Sequence, residues 1–384
     1  MQLLTEDKIK LHKDFLEKQR VKRPLVGCIK GWEGLSRYVK DTETFFPMGI
    51  VTQDDIDCQR FLPMYRDYSM NLDKHHELYL TLEPFPFFPW TEAAIDCPIK
   101  YTGKNFWASP VQEMQTGNGL ENWIDVIRKD TPQCPDKYKP LIESAGSSVH
   151  PNFIPDVSKT WIVKYGEHLD TLIENFSNEY PIGQSILRGP LDMAAALLGA
   201  EIMIYNFFEQ PGLMKELLSI LTNIYLLFVD VQNDRLPQFD GGYIIGSYYI
   251  WTPGKCLRHQ EDAMALLSPD LYREFVHPYD IKVASAVDYT LFHIHSTGLH
   301  HLDILLENDG IHIIQVSKDE GVELNTVLAG LQKIQEAGKC LILKGRLNED
   351  DLKNIKKCLN PCGLCIQAVV LSKHEENIIK SAYL

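Results

Sequence analysis

Positive charge is scarce in this chain, and that scarcity removes whole classes of partner. Thirty-eight Lys and Arg stand against fifty-two Asp and Glu, a formal net charge of -14, which repels nucleic-acid phosphates and anionic membrane surfaces. Neither nucleic acid nor a membrane is expected as a partner. Also missing is any run approaching the roughly 18 apolar residues of a membrane span, and the opening Met1-Gln-Leu-Leu-Thr-Glu-Asp-Lys8 lacks the basic-then-apolar order of a secretory leader. A cytoplasmic location is the expectation. Nine cysteines are spread over 384 residues without a dense framework, so free thiols are expected rather than disulfides. No GxGxxG or GxxxxGK loop occurs to cradle a phosphate, and no GxSxG elbow to carry a nucleophilic serine. Internal repeats and low-complexity tracts are absent as well.

What is present suits a large buried core, with 45% of residues hydrophobic. Thr5 can cap a helix whose apolar positions Ile9, Leu11, Phe15 and Leu16 lie between charges, ending near Arg23-Pro24. Residues 1–24 are therefore expected as a helical extension, followed by a short strand from Leu25 to Ile29. From about Tyr38 to Tyr180 the chain is rich in Pro, Gly and aromatics, with weak periodicity. Within it, Pro84-Phe-Pro-Phe-Phe-Pro-Trp90 cannot be regular structure and is too apolar for water, so a loop folded over the core is expected.

Beyond residue 180 the pattern becomes regular. Gly183 to Leu187 reads as a strand, Leu191 to Phe208 as a helix entered through Pro190, and Leu213 to about Asp230 as a long apolar helix. Gly242 to Gly246 reads as a strand, and Ser268 opens a helix running toward Ala286 with Pro278 as an interruption. Four strands then alternate with four helices: Thr290 to His295, Ile311 to Val316, Cys340 to Leu343 and Leu364 to Leu371 are the strands. Such alternation implies parallel pairing with right-handed crossovers. The expected fold class is α/β, a (β/α)8 TIM-type barrel over 25–384 forming a single domain with the helical extension, with a doubly wound open sheet as the alternative.

In a parallel sheet the residues just after each strand share one rim, and here they are rich in cations: Lys30, Arg188, Lys318, Lys344, Arg346 and Lys373, beside Tyr248, Tyr249, His293, His295, Asp319 and His374. That ring would attract carboxylates or phosphates, unless its members pair with rim acids such as Asp192, Asp319 and Glu320. His293 and His295, two apart in a strand, share a face. They could ligate zinc, but a zinc site needs three or four ligands and the nearby sequence offers no obvious third. The alternative places His293 in a hydrogen-bonded interior position and His295 at the mouth of a pocket. Cys362-Gly-Leu-Cys365 has redox spacing but precedes a strand, and His75-His76 reads as a solvated helix face.

Several of these pieces, taken in order, resemble the uroporphyrinogen decarboxylase superfamily, which also contains methyltransferases serving corrinoid proteins. The pieces are Arg23-Pro-Leu-Val26 with Lys30 and Arg37-Tyr38, the Arg188-Gly-Pro190 segment leading to Gly199, and Glu261 to Phe275 with His277-Pro-Tyr279. To these add His295-Ser-Thr-Gly298 and Gly345-Arg-Leu-Asn348; the likeness is best from Ser185 onward. In the decarboxylase branch the resemblance implies chemistry without metal or cofactor. Lys30, Arg37, Arg188, Lys344 and Arg346 would bind an anionic, tetrapyrrole-like or carboxylated small molecule, with Asp96 as the acid, Tyr248 as a supporting hydroxyl and His295 beside them. In the methyltransferase branch it implies zinc held by a His-x-Cys pair and a second Cys, and a corrinoid protein as partner. Thr297 stands at the first of those Cys positions, and Leu371-Ser372 end the last strand without a thiol. Metal-free decarboxylation is the expected activity; zinc-assisted methyl transfer and non-catalytic tetrapyrrole or corrinoid binding are the alternatives. A homodimer is a further expectation.

Overall fold

Six parallel strands form the centre of the protein in the computed structural model, which describes residues 4–30, 46, 48–72, 76–112, 119–129 and 156–384. In chain order, β1 is Leu25–Lys30; Gly49–Ile50 (β2), Ile99–Tyr101 (β3) and Phe106–Ala108 (β4) make a small antiparallel sheet; Tyr243–Ile245 (β5) and Ile250–Thr252 (β6) make a hairpin. Then come Cys256–Gln260 (β7), Tyr289–His295 (β8), Ile311–Lys318 (β9), Cys340–Gly345 (β10) and Leu364–Val370 (β11). The parallel sheet runs β1-β11-β10-β9-β8-β7, every pair in parallel register.

The period-2 alternation of each strand sorts its side chains into two cores. Phe292, Ile294, Ile314, Val316, Leu341 and Leu343 pack under helices on one face. Leu291, Ile313, Ile342 and Cys365 occupy the other, with Ile245, Tyr248 and Tyr249 from the β5–β6 hairpin and Phe15 from the first helix, Thr5–Leu16. The covering helices follow from sequence in the ordinary way. Leu324–Glu336 buries Leu324, Val327, Leu331 and Ile334, one helical face. Glu349–Cys358 begins at Asn348, whose side chain accepts from the Asp351 amide while Asp351 accepts in return.

Where sequence expectation and structure differ, local causes are visible. Gly183–Leu187 is extended but not a strand: one bridge, Ile182 to Leu82, is formed, and Gly183 N donates to Leu82 O at 2.8 Å. The strand expected over Gly242–Gly246 is Tyr243–Ile245, which pairs antiparallel with β6 outside the parallel sheet. β7 was not expected, because Cys-Leu-Arg-His-Gln is too polar to read as a buried strand, yet all five residues are buried. The helix expected from Leu191 to Phe208 breaks at Gly199 (φ 79°) into Pro190–Leu198 and Ala200–Glu209, bent by 105°. Only a residue free of a Cβ adopts that φ cheaply. The long apolar helix is Pro211–Arg235, long and apolar enough to cross a membrane by length and composition; Leu217, Leu221, Ile224 and Phe228 are buried inside the fold.

The loop Pro84–Trp90 does fold over the core. Phe85, Phe88 and Trp90 are buried, and Trp90 stacks edge-on with Tyr165, Phe88 and His168. His76 is not on a helix: its Nε2 lies 3.1 Å from Cys28 O, and Leu78 N donates to its Nδ1. Among the described residues eight cysteines are free, Cys362 and Cys365 included.

Candidate metal centre at the carboxyl rim

Parallel register brings the chemistry together. Gln260 on β7 pairs with His293 on β8, His293 with Gln315 on β9, and His295 with Ser317. Two residues past β7, Asp262 opens a short 3-10 helix, Asp262–Leu266. Its Oδ1 lies 3.8 Å from His293 Nε2 and 3.9 Å from His295 Nε2. The three donor atoms stand within 4.8 Å of one another. Zinc bound by N and O donors at about 2.0–2.2 Å needs them roughly 3.3 Å apart, so a small inward rotation of these side chains suffices.

The other nitrogen of each ring is committed to the protein. His295 Nδ1 lies 2.6 Å from Asp319 Oδ1, and Ser296 N and Oγ donate to Asp319 Oδ2. Burial pushes the Asp319 carboxyl up, but the hydrogen bonds from Ser296 and His295 outweigh it and hold it below the usual carboxylate range. His293 Nδ1 meets Gln315 Oε1, and Tyr248 Oη lies 2.9 Å away. Burial first, then the charge of Arg258, hold His293 well below the ordinary imidazole range. A neutral ring that donates from Nδ1 presents its Nε2 lone pair, which is the ligand form. His293 is buried, whereas His295 and Asp262 open to solvent, their side chains 43% and 38% exposed.

Asp262 is the third ligand candidate that sequence reasoning missed. The missing signal was β7 itself: once Gln260 is a strand end, Asp262 belongs to the rim beside His293. Gln260 Nε2 donates to Asp262 Oδ2 at 2.9 Å. Neighbouring Glu261 points the other way, its Oε2 accepting from the amides of Leu191 and Asp192 at 3.0 and 3.1 Å. The carboxylate comes so close that a Cβ on Gly189 would meet it at 2.4 Å. Asp192 accepts from Ala263 N at 2.7 Å. Burial, followed by the charge of Asp262, pushes the Asp192 carboxyl up to about 7.

The expected residues scatter around this centre unequally. Tyr248 is buried between His293 and the cations of Arg258 and Lys344, whose groups lie 5.3 and 5.0 Å from its ring centre. Arg188 lies at the same rim, since Gly189 N donates to Gln260 O, and its Nε is 3.4 Å from buried Glu92. Arg346, one residue past β10, is turned to Glu375 at 3.0 Å, and Lys318 is 3.8 Å from Asp351. The rim cations thus largely face acids. Lys30 is exposed at the end of β1. Asp96 is exposed in a left-handed conformation (φ 68°), four residues after Glu92, which is the acid of that segment that reaches Arg188. Arg37 lies outside the described residues.

No family model matches the chain, and no curated protein matches it. Among solved structures it is similar to a methyltransferase from Methanosarcina mazei, with a TM-score of 0.57 at 11% identity over 98% of this chain and 97% of that one. At that identity the likeness shows a shared fold.

Proposed function

We propose that this chain is an enzyme, a methyltransferase of the uroporphyrinogen decarboxylase superfamily, with zinc held by Asp262, His293 and His295. The observation that carries the reading is the convergence of two imidazole Nε2 atoms on one carboxylate oxygen, while both Nδ1 atoms are spent on protein partners. Both rings are thereby fixed in the ligand tautomer. Full-length likeness to a methyltransferase supports it further.

The finer fold belongs to the same reading: residues 25–384 form one (β/α)8 barrel domain carrying the 1–24 extension. Its six strands are closed through the segments around Leu82 and Ile182. Support comes from contacts at both sheet edges. Val26 N on β1 donates to Glu77 Oε2 at 3.1 Å, Leu82 N to Pro181 O at 3.1 Å, and Gly189 N to Gln260 O on β7 at 3.0 Å.

Zinc would act as a Lewis acid that lets an acceptor thiol react as thiolate near neutral pH. The protein's part is positional. Asp319 fixes the His295 ring, Gln315 and Tyr248 fix His293, and Gln260 holds Asp262 with one oxygen toward the rings. A corrinoid protein would supply the methyl group at the open side, where His295 and Asp262 are exposed. Metal-free decarboxylation becomes the second reading, because Arg188 and Arg346 face Glu92 and Glu375.

Elemental analysis of the purified protein and of Asp262→Ala and His295→Ala tests the reading, together with methyl transfer from methylcobalamin to a thiol. Near-stoichiometric zinc, lost in both variants along with transfer, is expected. Carbon dioxide release from uroporphyrinogen by zinc-free protein would replace it.

A further inference from the structure

The interior side of β7 carries a charge that the metal centre does not explain. Arg258 is 4% exposed, and a guanidinium cannot discard its proton to escape the cost of burial. Its Nη2 donates to the amide oxygen of Gln260 and its guanidinium lies 5.3 Å from the Tyr248 ring centre, while Nε and Nη1 meet no carboxylate, amide or carbonyl acceptor. Among the described residues no carboxylate lies within ion-pair distance of it. Instead a second cation, Lys344, shares the same Tyr248 ring, 5.0 Å from its centre. A buried guanidinium with no carboxylate beside it is costly, and buried donors left without an acceptor call for a partner that completes them.

We infer that Arg258 is the floor of an oxyanion-binding subsite inside the strand ring, beneath the Asp262, His293 and His295 group, taking the carboxylate or a similar oxyanion of a small ligand. Geometry orders the ligand. Arg258 pairs in register with Leu291, two residues below the Gln260–His293 pair and on the same side of the strand, so the anionic end lies deep and the opposite end points to the rim. Only that statement of which end faces outward rests on the methyl-transfer reading; the subsite itself does not. Arg258→Gln260→Asp262 is a continuous chain of hydrogen bonds, so filling the lower site also steadies the carboxylate above it.

The test is thermal unfolding of the full chain, before and after EDTA treatment, in acetate, methanesulfonate and phosphate matched in ionic strength to a chloride reference. A saturable rise in Tm of a few degrees is expected with one or more of these oxyanions, surviving EDTA and absent in Arg258→Met. The same variant should unfold no lower than the parent in chloride, since it removes an unpaired buried charge. If it does not fold, Arg258→Gln carries the same expectation of a lost oxyanion response. Absence of a saturable rise in the parent protein, or an equal rise in the variant, overturns the proposal. Zinc content is read separately, so loss of the metal assignment leaves this result standing, and the reverse holds too.

Discussion

His295 Nδ1 sits 2.6 Å from Asp319 Oδ1, across the neighbouring strands β8 and β9, and this contact decides which ring nitrogen faces Asp262. Replacing Asp319 by Asn keeps the shape but offers an amide that can donate as well as accept, so the imidazole is free to take the other tautomer. Zinc affinity, measured by competition with a chromophoric chelator, should fall about 10–100-fold. Unchanged affinity would remove Asp319 from the metal centre.

Asp192 gives the protein a pH signature. The native state holds its proton up to about 7, whereas an unfolded chain releases it near the ordinary value of 3.8. Between those values the native state binds more protons, so this group's contribution to stability is full below pH 4 and is lost as pH rises through 7. Urea unfolding of metal-free protein should therefore show Asp192→Asn gaining on the parent between pH 5 and pH 8. A constant difference would show that Asp192 ionises normally.

Two glycines near the hairpin separate space from conformation. A Cβ on Gly246 would meet backbone atoms of Gln184 at 2.0–2.8 Å, whereas Gly241 has φ +73° and nothing within 4 Å. Gly246→Ala forces backbone apart and should cost about 1–3 kcal/mol or more. Gly241→Ala meets left-handed strain alone, about 1–2 kcal/mol. Chemical denaturation should rank them in that order.

The apolar loop offers a contrast of its own. Trp90→Ala leaves a cavity among Phe88, Tyr165 and His168 and should cost about 3–5 kcal/mol. Phe87 is 42% exposed with φ 72°; Phe87→Asn suits that backbone and should change stability by less than about 0.5 kcal/mol. A large loss at Phe87 would mean that its ring is covered by something in solution.

The carboxyl-terminal third was legible because its strands are apolar on both faces and its helices carry regular stripes. The two signals, runs of Ile, Leu and Val against spacings of three and four, do not blur. β7 was illegible for the opposite reason: Arg258, His259 and Gln260 are polar yet buried, so the strand lacks the hydrophobic pattern that marks the others. Missing that strand hid Asp262, and with it the third donor beside His293 and His295. The helix break at Gly199 was masked by the Ala- and Leu-rich run before it, while Gly183–Leu187 looks like a strand in sequence because it is extended in fact.

Glu261 ties the turn after β7 to the start of helix Pro190–Leu198, with Asp192 reaching back to Ala263. The two segments at that end of the sheet are riveted to each other by carboxylate–amide bonds in both directions. Neither can swing outward alone. In the proposed site a bulkier ligand would have to be accommodated across the way, beside His295 and Asp319, where the entrance could widen without unfastening the bolts.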